Sequence, residues 1–213
     1  MTTTCTADRT APGELLRLVA DGLTCAGLDV RPPADGEGRL DIAWPGARCT
    51  LAVGEGGSAE WEYWPWSADD ADPGLTADLA TVLLTGRSGP QPRLGSGRQR
   101  ENVTFKGIVG LELKARGLDV EMAVYCDETA FDTFAEIIAT VPGSGDHAQV
   151  CVADDGGLTW TRDFLAETAA LVFAPEGCGQ AAGPAHVAGS VVEAVTRAMS
   201  LLRPAGTEGT AHG

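Results

Sequence analysis

The sequence predicts an α+β fold: a tandem repeat of two α-β-β-β-α units, each an antiparallel sheet with helices on one face, packed pseudo-symmetrically. Three observations predict it. The string Gly27-Leu28-Asp29-Val30 recurs as Gly117-Leu118-Asp119-Val120, and self-similarity of this kind marks a duplicated supersecondary unit. Each copy follows a segment with helical spacing of apolar residues, Leu15, Leu18, Val19 and Leu23 in one, Phe105, Ile108, Val109 and Leu113 in the other. Further on, LAVGEGGSAEW from Leu51 to Trp61 matches VCVADDGGLTW from Val150 to Trp160.

Local chemistry marks the elements independently of the match. The first helix has Pro12 and Glu14 in its first turn and Gly27 past its end. Asn102 is placed to cap the helix that Gly117 stops. Asp72-Pro73 opens a third helix with a capping side chain and a proline at its first position, and Gly86 closes it; Pro184 and Pro204 bracket the fourth. Between helices lie short β-type runs joined by Pro45-Gly46, Gly54 to Gly57, Pro142 to Gly145 and Asp154 to Gly157, which read as hairpin turns. The segment 127–138 has helical spacing at Phe131, Phe134, Ala135 and Ile138, whereas the repeat match makes Glu136 to Val141 a strand; a strand from about Phe134 is the better reading. Gly107 and Gly110 inside the second helix form a close-packing face.

The first unit therefore spans 12–86 and the second 101–204, with a long insertion at 164–183 that is too apolar for a free linker. The connector 87–100 is rich in Gly, Pro and Ser, carries four arginines and no acid, and reads as an exposed linker. Residues 1–11 and 205–213 read as disordered tails. A chain of 213 residues that is 44% hydrophobic can bury a substantial core. Its formal net charge of -15 opposes phosphate backbones and anionic lipid surfaces, so neither nucleic acid nor membrane is expected as a partner. The start MTTTCTADRTAPG has neither the basic nor the apolar region of a secretory signal, and no apolar run reaches membrane-spanning length, so a cytoplasmic protein is expected. Six scattered cysteines, without C-x-x-C, read as free thiols that pack as small apolar residues. The excess of Gly, Ala and Arg over Lys, Asn and Ile suggests a GC-rich bacterial gene.

The order of elements, the size and the acidity resemble those of type III secretion chaperones and YbjN-like bacterial proteins. EWEYWPW (Glu60 to Trp66) and DDGGLTW (Asp154 to Trp160) are similar to segments of uncharacterised actinobacterial proteins. The resemblance implies a chaperone-like protein that binds other polypeptides, built as a pseudo-dimer within one chain or as a homodimer. It assigns no residue.

The most unusual local feature is the stretch Trp61 to Trp66, which with Trp44 holds four of the five tryptophans. Alternation places Trp61 and Tyr63 on one sheet face, with Trp64 and Trp66 at the strand's end beside Pro65. One reading packs these rings against the helices and the other half; the other exposes them to a partner. Tyr63, Trp64, Trp66 and Phe173, the last from the insertion, are the candidate partner-binding residues. No catalytic residue, metal ligand or cofactor is assigned. Asp69, Asp70, Asp72, Asp127, Glu128, Asp154 and Asp155 lie at caps and turns, and no loop has calcium-binding spacing. No G-x-S-x-G or H-E-x-x-H motif is present. The expectation is a non-enzymatic protein-binding accessory protein, with a peptide, another protein or an apolar small ligand as partner. The alternative is a small enzyme of secondary metabolism with a pocket under 164–183 and Cys126, Cys151 or His186 as its reactive group. Matched residues Leu18/Ile108, Val19/Val109, Val53/Val152 and Trp61/Trp160 are expected at equivalent buried positions. A bare sheet face carrying aromatic residues is expected to be covered by the other half.

Overall fold

The computed structural model describes residues 13–31, 38–54, 57–87, 104–127, 132–144, 147–164 and 183–202. The tails, most of the linker and nearly all of the insertion, with Phe173 and Cys178, lie outside the described residues.

Helix α1 (Glu14–Cys25) buries Leu15, Val19 and Leu23, one side chain per turn. It ends at Gly27, whose φ of 82° only glycine adopts readily. The Gly27 N–H donates to Thr24 O and the Leu28 N–H to Leu23 O, closing a Schellman motif. Helix α3 (Phe105–Ala115) stops in the same way: Gly117 has φ 80°, and the Leu118 N–H donates to Leu113 O. Its cap is the Thr104 hydroxyl, which accepts from Gly107 N; Asn102, the expected cap, lies outside the described residues. Helix α2 (Pro73–Thr85) begins as expected, with Asp72 accepting from the Gly74 and Leu75 amides, and Gly86 stops it. Helix α4 covers Pro184–Leu202.

The strands are β1 (Val30–Arg31), β2 (Arg39–Ile42), β3 (Ala47–Val53), β4 (Ser58–Pro65), β5 (Asp119–Asp127), β6 (Asp132–Thr140), β7 (Ala148–Val152) and β8 (Leu158–Asp163). There are four between each pair of helices, one more than expected, because the chain enters a strand directly after each Gly-Leu helix stop. The segment 127–138 settles as strand from Asp132, where pairing with β5 and β7 overrides helical spacing.

All eight strands form one antiparallel sheet in the order β1-β2-β3-β4-β8-β7-β6-β5. The last strands of the two halves meet at its centre. Trp61 stands opposite Trp160, and one row of cross-strand partners runs Leu40, Leu51, Trp61, Trp160, Val150, Ala139. Every side chain in that row is buried, and both tryptophans are 0% exposed. The helices lie over this face in the order α1, α4, α2, α3. In the middle of the row α2 is buried on nearly all sides, which accounts for its mostly apolar sequence, broken by three threonines and Asp78. Small residues set the spacing: a Cβ on Gly22 of α1 would stand 2.7 Å from a methyl of Val192 on α4, and one on Gly110 of α3 would stand 3.0 Å from Ile137.

The expected face-to-face packing of the halves does not occur. The sheet face away from the helices carries exposed Arg39 and Asp41, half-buried Glu60, Glu62, Thr159 and Thr161, buried Thr50 and the half-buried ring of Trp64. There the Thr50 hydroxyl donates to Glu62 at 2.8 Å, and Arg39 lies 3.8 Å from Glu60. Through the β4–β8 pairing the halves join edge to edge. Of the matched pairs, Val19/Val109 and Trp61/Trp160 are fully buried, Leu18/Ile108 are half-buried in both halves, and Val53 is less buried than Val152.

Candidate functional site

Strand alternation sends the aromatic residues of β4 to different places. Trp61 and Tyr63 share the helix-side face with ring centroids 6.3 Å apart, and Tyr63 is only 6% exposed. Burial raises the Tyr63 phenol above its usual range, with smaller contributions from Cys49, Asp70 and Asp72. Tyr63 is therefore a core residue, not a presented one. Trp64 points to the opposite face and lies half-buried over Gly157, where a Cβ would come within 2.3 Å of the indole. The ring covers backbone that has no side chain of its own.

Trp66 follows the end of β4 and is 66% exposed. It borders a cleft of about 520 Å³ with half-buried Trp44 from the β2–β3 turn, Arg31, Asp41, Ile42, Arg48 and Cys49. Two indoles thus flank a concavity whose rim carries cations on a strongly acidic chain. The Arg31 guanidinium is held by Asp29 at 2.9 Å, and that bond raises its pKa further. Arg48 is exposed and has no ion pair among the described residues, so it is the cation available to a ligand. The Cys49 thiol is buried and pushed up to about 12 by desolvation, which leaves it protonated and unreactive near neutrality. Burial, then the Glu136 charge, also raises the Cys151 thiol.

A second cleft of about 310 Å³ lies where the β3–β4 turn meets the end of β8, lined by Ser58, Glu60, His147, Thr161, Arg162 and Asp163. The guanidinium of Arg162 stacks over Phe164 at 4.8 Å. The two clefts keep a thiol and an imidazole apart, because Cys49 lines one and His147 the other; His186 is exposed in the first turn of α4. Among the described residues no three His, Cys, Asp or Glu side chains are grouped to hold a metal ion.

Sequence reasoning missed a buried charge cluster between α2 and α3. Arg116, with its side chain 1% exposed, places one guanidinium nitrogen 2.8 Å from Asp78 and 3.5 Å from Glu112, and donates from another to Thr81 at 3.0 Å. Thr81 in turn donates to Ala77 O. The only signal was the i, i+4 spacing of Glu112 and Arg116 within an apolar stretch. The cluster joins a helix of the first half to one of the second, and its buried ion pairs make it a structural clamp.

No protein-family model matches the chain, and no curated protein or solved structure does. Fold and site together define an α+β protein with a two-layer architecture and an aromatic, cation-rimmed cleft. No described helix is long and apolar enough to cross a membrane.

Proposed function

We propose that the protein is a non-enzymatic, chaperone-like accessory protein of the bacterial cytoplasm that binds a partner polypeptide in the cleft between Trp44 and Trp66. The observation that carries this reading is the exposure of Trp66 beside Trp44 and Arg48. An indole in water loses apolar contact area that a partner would restore, and tryptophan and arginine are the residue types that dominate protein-binding hot spots. A partner segment offering an aromatic or aliphatic side chain next to a carboxylate fits the two rings and Arg48.

The same proposal treats the two halves as tandem copies that form a pseudo-dimer within one chain. It is supported by the identical helix stops at Gly27 and Gly117 and by the offset shared by Leu40/Ala139, Leu51/Val150 and Trp61/Trp160, which flank the β4–β8 junction at matching steps. On this reading duplication kept the core row in both copies, while the aromatic cleft arose in the first copy alone.

The test is a photo-crosslinking amino acid at position 66 in the native host, with the exposed position 200 on α4 as control. A polypeptide adduct formed from 66 and not from 200 is the expected result. The absence of any such adduct, combined with tryptophan quenching by apolar small molecules, would replace the polypeptide by a small ligand.

A further inference from the structure

The sheet ends on two unlike edges. On one side is β1, a strand of 2 residues; on the other is β5, with 9 residues. Among the described residues no strand lies beyond β5, so its outer row of N–H and C=O groups is open to pairing. Edges of this length are usually blunted by charged side chains, proline, a bulge or a covering segment; β5 contains neither lysine nor proline, and its charges are all acidic.

What β5 offers alternates along its length. Val120 and Met122 pair with Ala139 and Ile137, which places them, with Val124, on the helix side. The α3 layer covers only the beginning: a Cβ on Gly110 would stand 3.6 Å from Val120, whereas Met122 and Val124 are 64% and 60% exposed. On the opposite face stand Asp119 and Glu121, both exposed, and Glu136 of β6 lies across from Ala123. None of these three carboxylates has a cation among the described residues. The edge therefore presents acid on one face and uncovered apolar surface on the other.

We infer that β5 is a docking edge for an extended segment of a partner polypeptide in which basic and apolar residues alternate. Added as a further strand, such a segment pairs its backbone with β5, lays its apolar side chains against Met122 and Val124, and sets its cations beside Asp119 and Glu121, with Glu136 one strand further in adding to the same negative face. A second copy of this chain fits less well, because β5 against its own twin brings acids together on the same face in a protein of net charge -15. The edge lies at the far end of the sheet from β2 and β3, which line the aromatic cleft, and does not depend on that cleft's role.

The experiment titrates the intact chain with two labelled peptides as long as β5, one alternating Lys with Val and the other Glu with Val, followed by fluorescence anisotropy and amide hydrogen exchange. The Lys/Val peptide binds, binds more weakly as salt rises, and slows exchange of β5 amides; the Glu/Val peptide does not. In Asp119→Lys/Glu121→Lys, two exposed positions, Lys/Val binding weakens by about tenfold and the preference reverses. Glu121→Gln gives the same direction with a smaller effect should the double variant not fold. Trp66→Ala leaves the binding unchanged, which separates failure here from failure of the aromatic cleft. Equal binding of both peptides, no binding, or binding without β5 protection overturns the inference. Protection of β5 that grows with protein concentration in the absence of peptide assigns the edge to a second copy instead.

Discussion

Trp61 and Trp66 leave the same strand a few residues apart and reach opposite environments, 0% and 66% exposed. Trp61 points from the middle of β4 toward the helices and meets Trp160 across the central strand pair. Trp66 lies past Pro65, where the ladder stops and alternation no longer dictates direction. The same residue type thus serves cohesion where the sheet is continuous and is available for recognition where it ends. The buried pair has no polar reward: neither indole N–H finds an acceptor among the described residues, a cost of about 1–3 kcal/mol each that packing must exceed.

The strongest way to break this comparison is to truncate the buried side. Trp61→Ala or Trp160→Ala opens a cavity at the junction of the halves and is expected to lower unfolding free energy by about 3–5 kcal/mol in urea titration. A loss under about 1 kcal/mol would mean that the junction is not the core. Arg116→Ala comes next. Removing the guanidinium between Asp78 and Glu112 is expected to cost about 3 kcal/mol in the same assay, and pairing it with Asp78→Ala should recover part of the loss in a double-mutant cycle. Gly157→Ala tests the intermediate ring, Trp64. Its new Cβ meets the indole, with an expected cost of about 1–3 kcal/mol that Trp64→Ala relieves.

The smallest effect is chemical. With its thiol raised to about 12 by burial, Cys49 stays protonated at pH 8 and should resist alkylation under conditions that label exposed Cys25. Because the folded value lies above the unfolded one, the native state holds this proton longer. The stabilisation is complete below the ordinary thiol range and is lost as pH climbs from there toward about 12. An alkaline decline in melting temperature that is shallower in Cys49→Val checks the sign.

Much of the fold was legible because its boundaries rest on local chemistry. The helix stops at Gly27 and Gly117, the Asp72-Pro73 start and the hairpin glycines each need one residue type at one place. The cap of α3 is Thr104 where Asn102 was expected, because the helix begins at Phe105, two residues later than a cap at 102 requires. The join between halves was not legible. Alternation in β4 shows that Trp61 and Tyr63 share a face, but not whether that face meets helices or another sheet. Nor does it show that the other face carries polar residues at 50, 60, 62, 159 and 161, with Trp64 beside them. Of the candidate site residues, Trp66 lies at the cleft, Trp64 is committed to Gly157 and Tyr63 to the core. Arg48 escaped notice because nothing local distinguishes it from any exposed strand arginine; Trp44 joins it only through the β2–β3 turn.

The central claim, that the interior tryptophans hold the fold while Trp66 holds a partner, is tested most directly by Trp66→Ala, measured for melting temperature and for affinity toward the polypeptide captured at position 66. The account predicts a stability change within about 0.5 kcal/mol and a loss of binding of about tenfold or more. A large fall in melting temperature, or unchanged affinity with the fold intact, would contradict it.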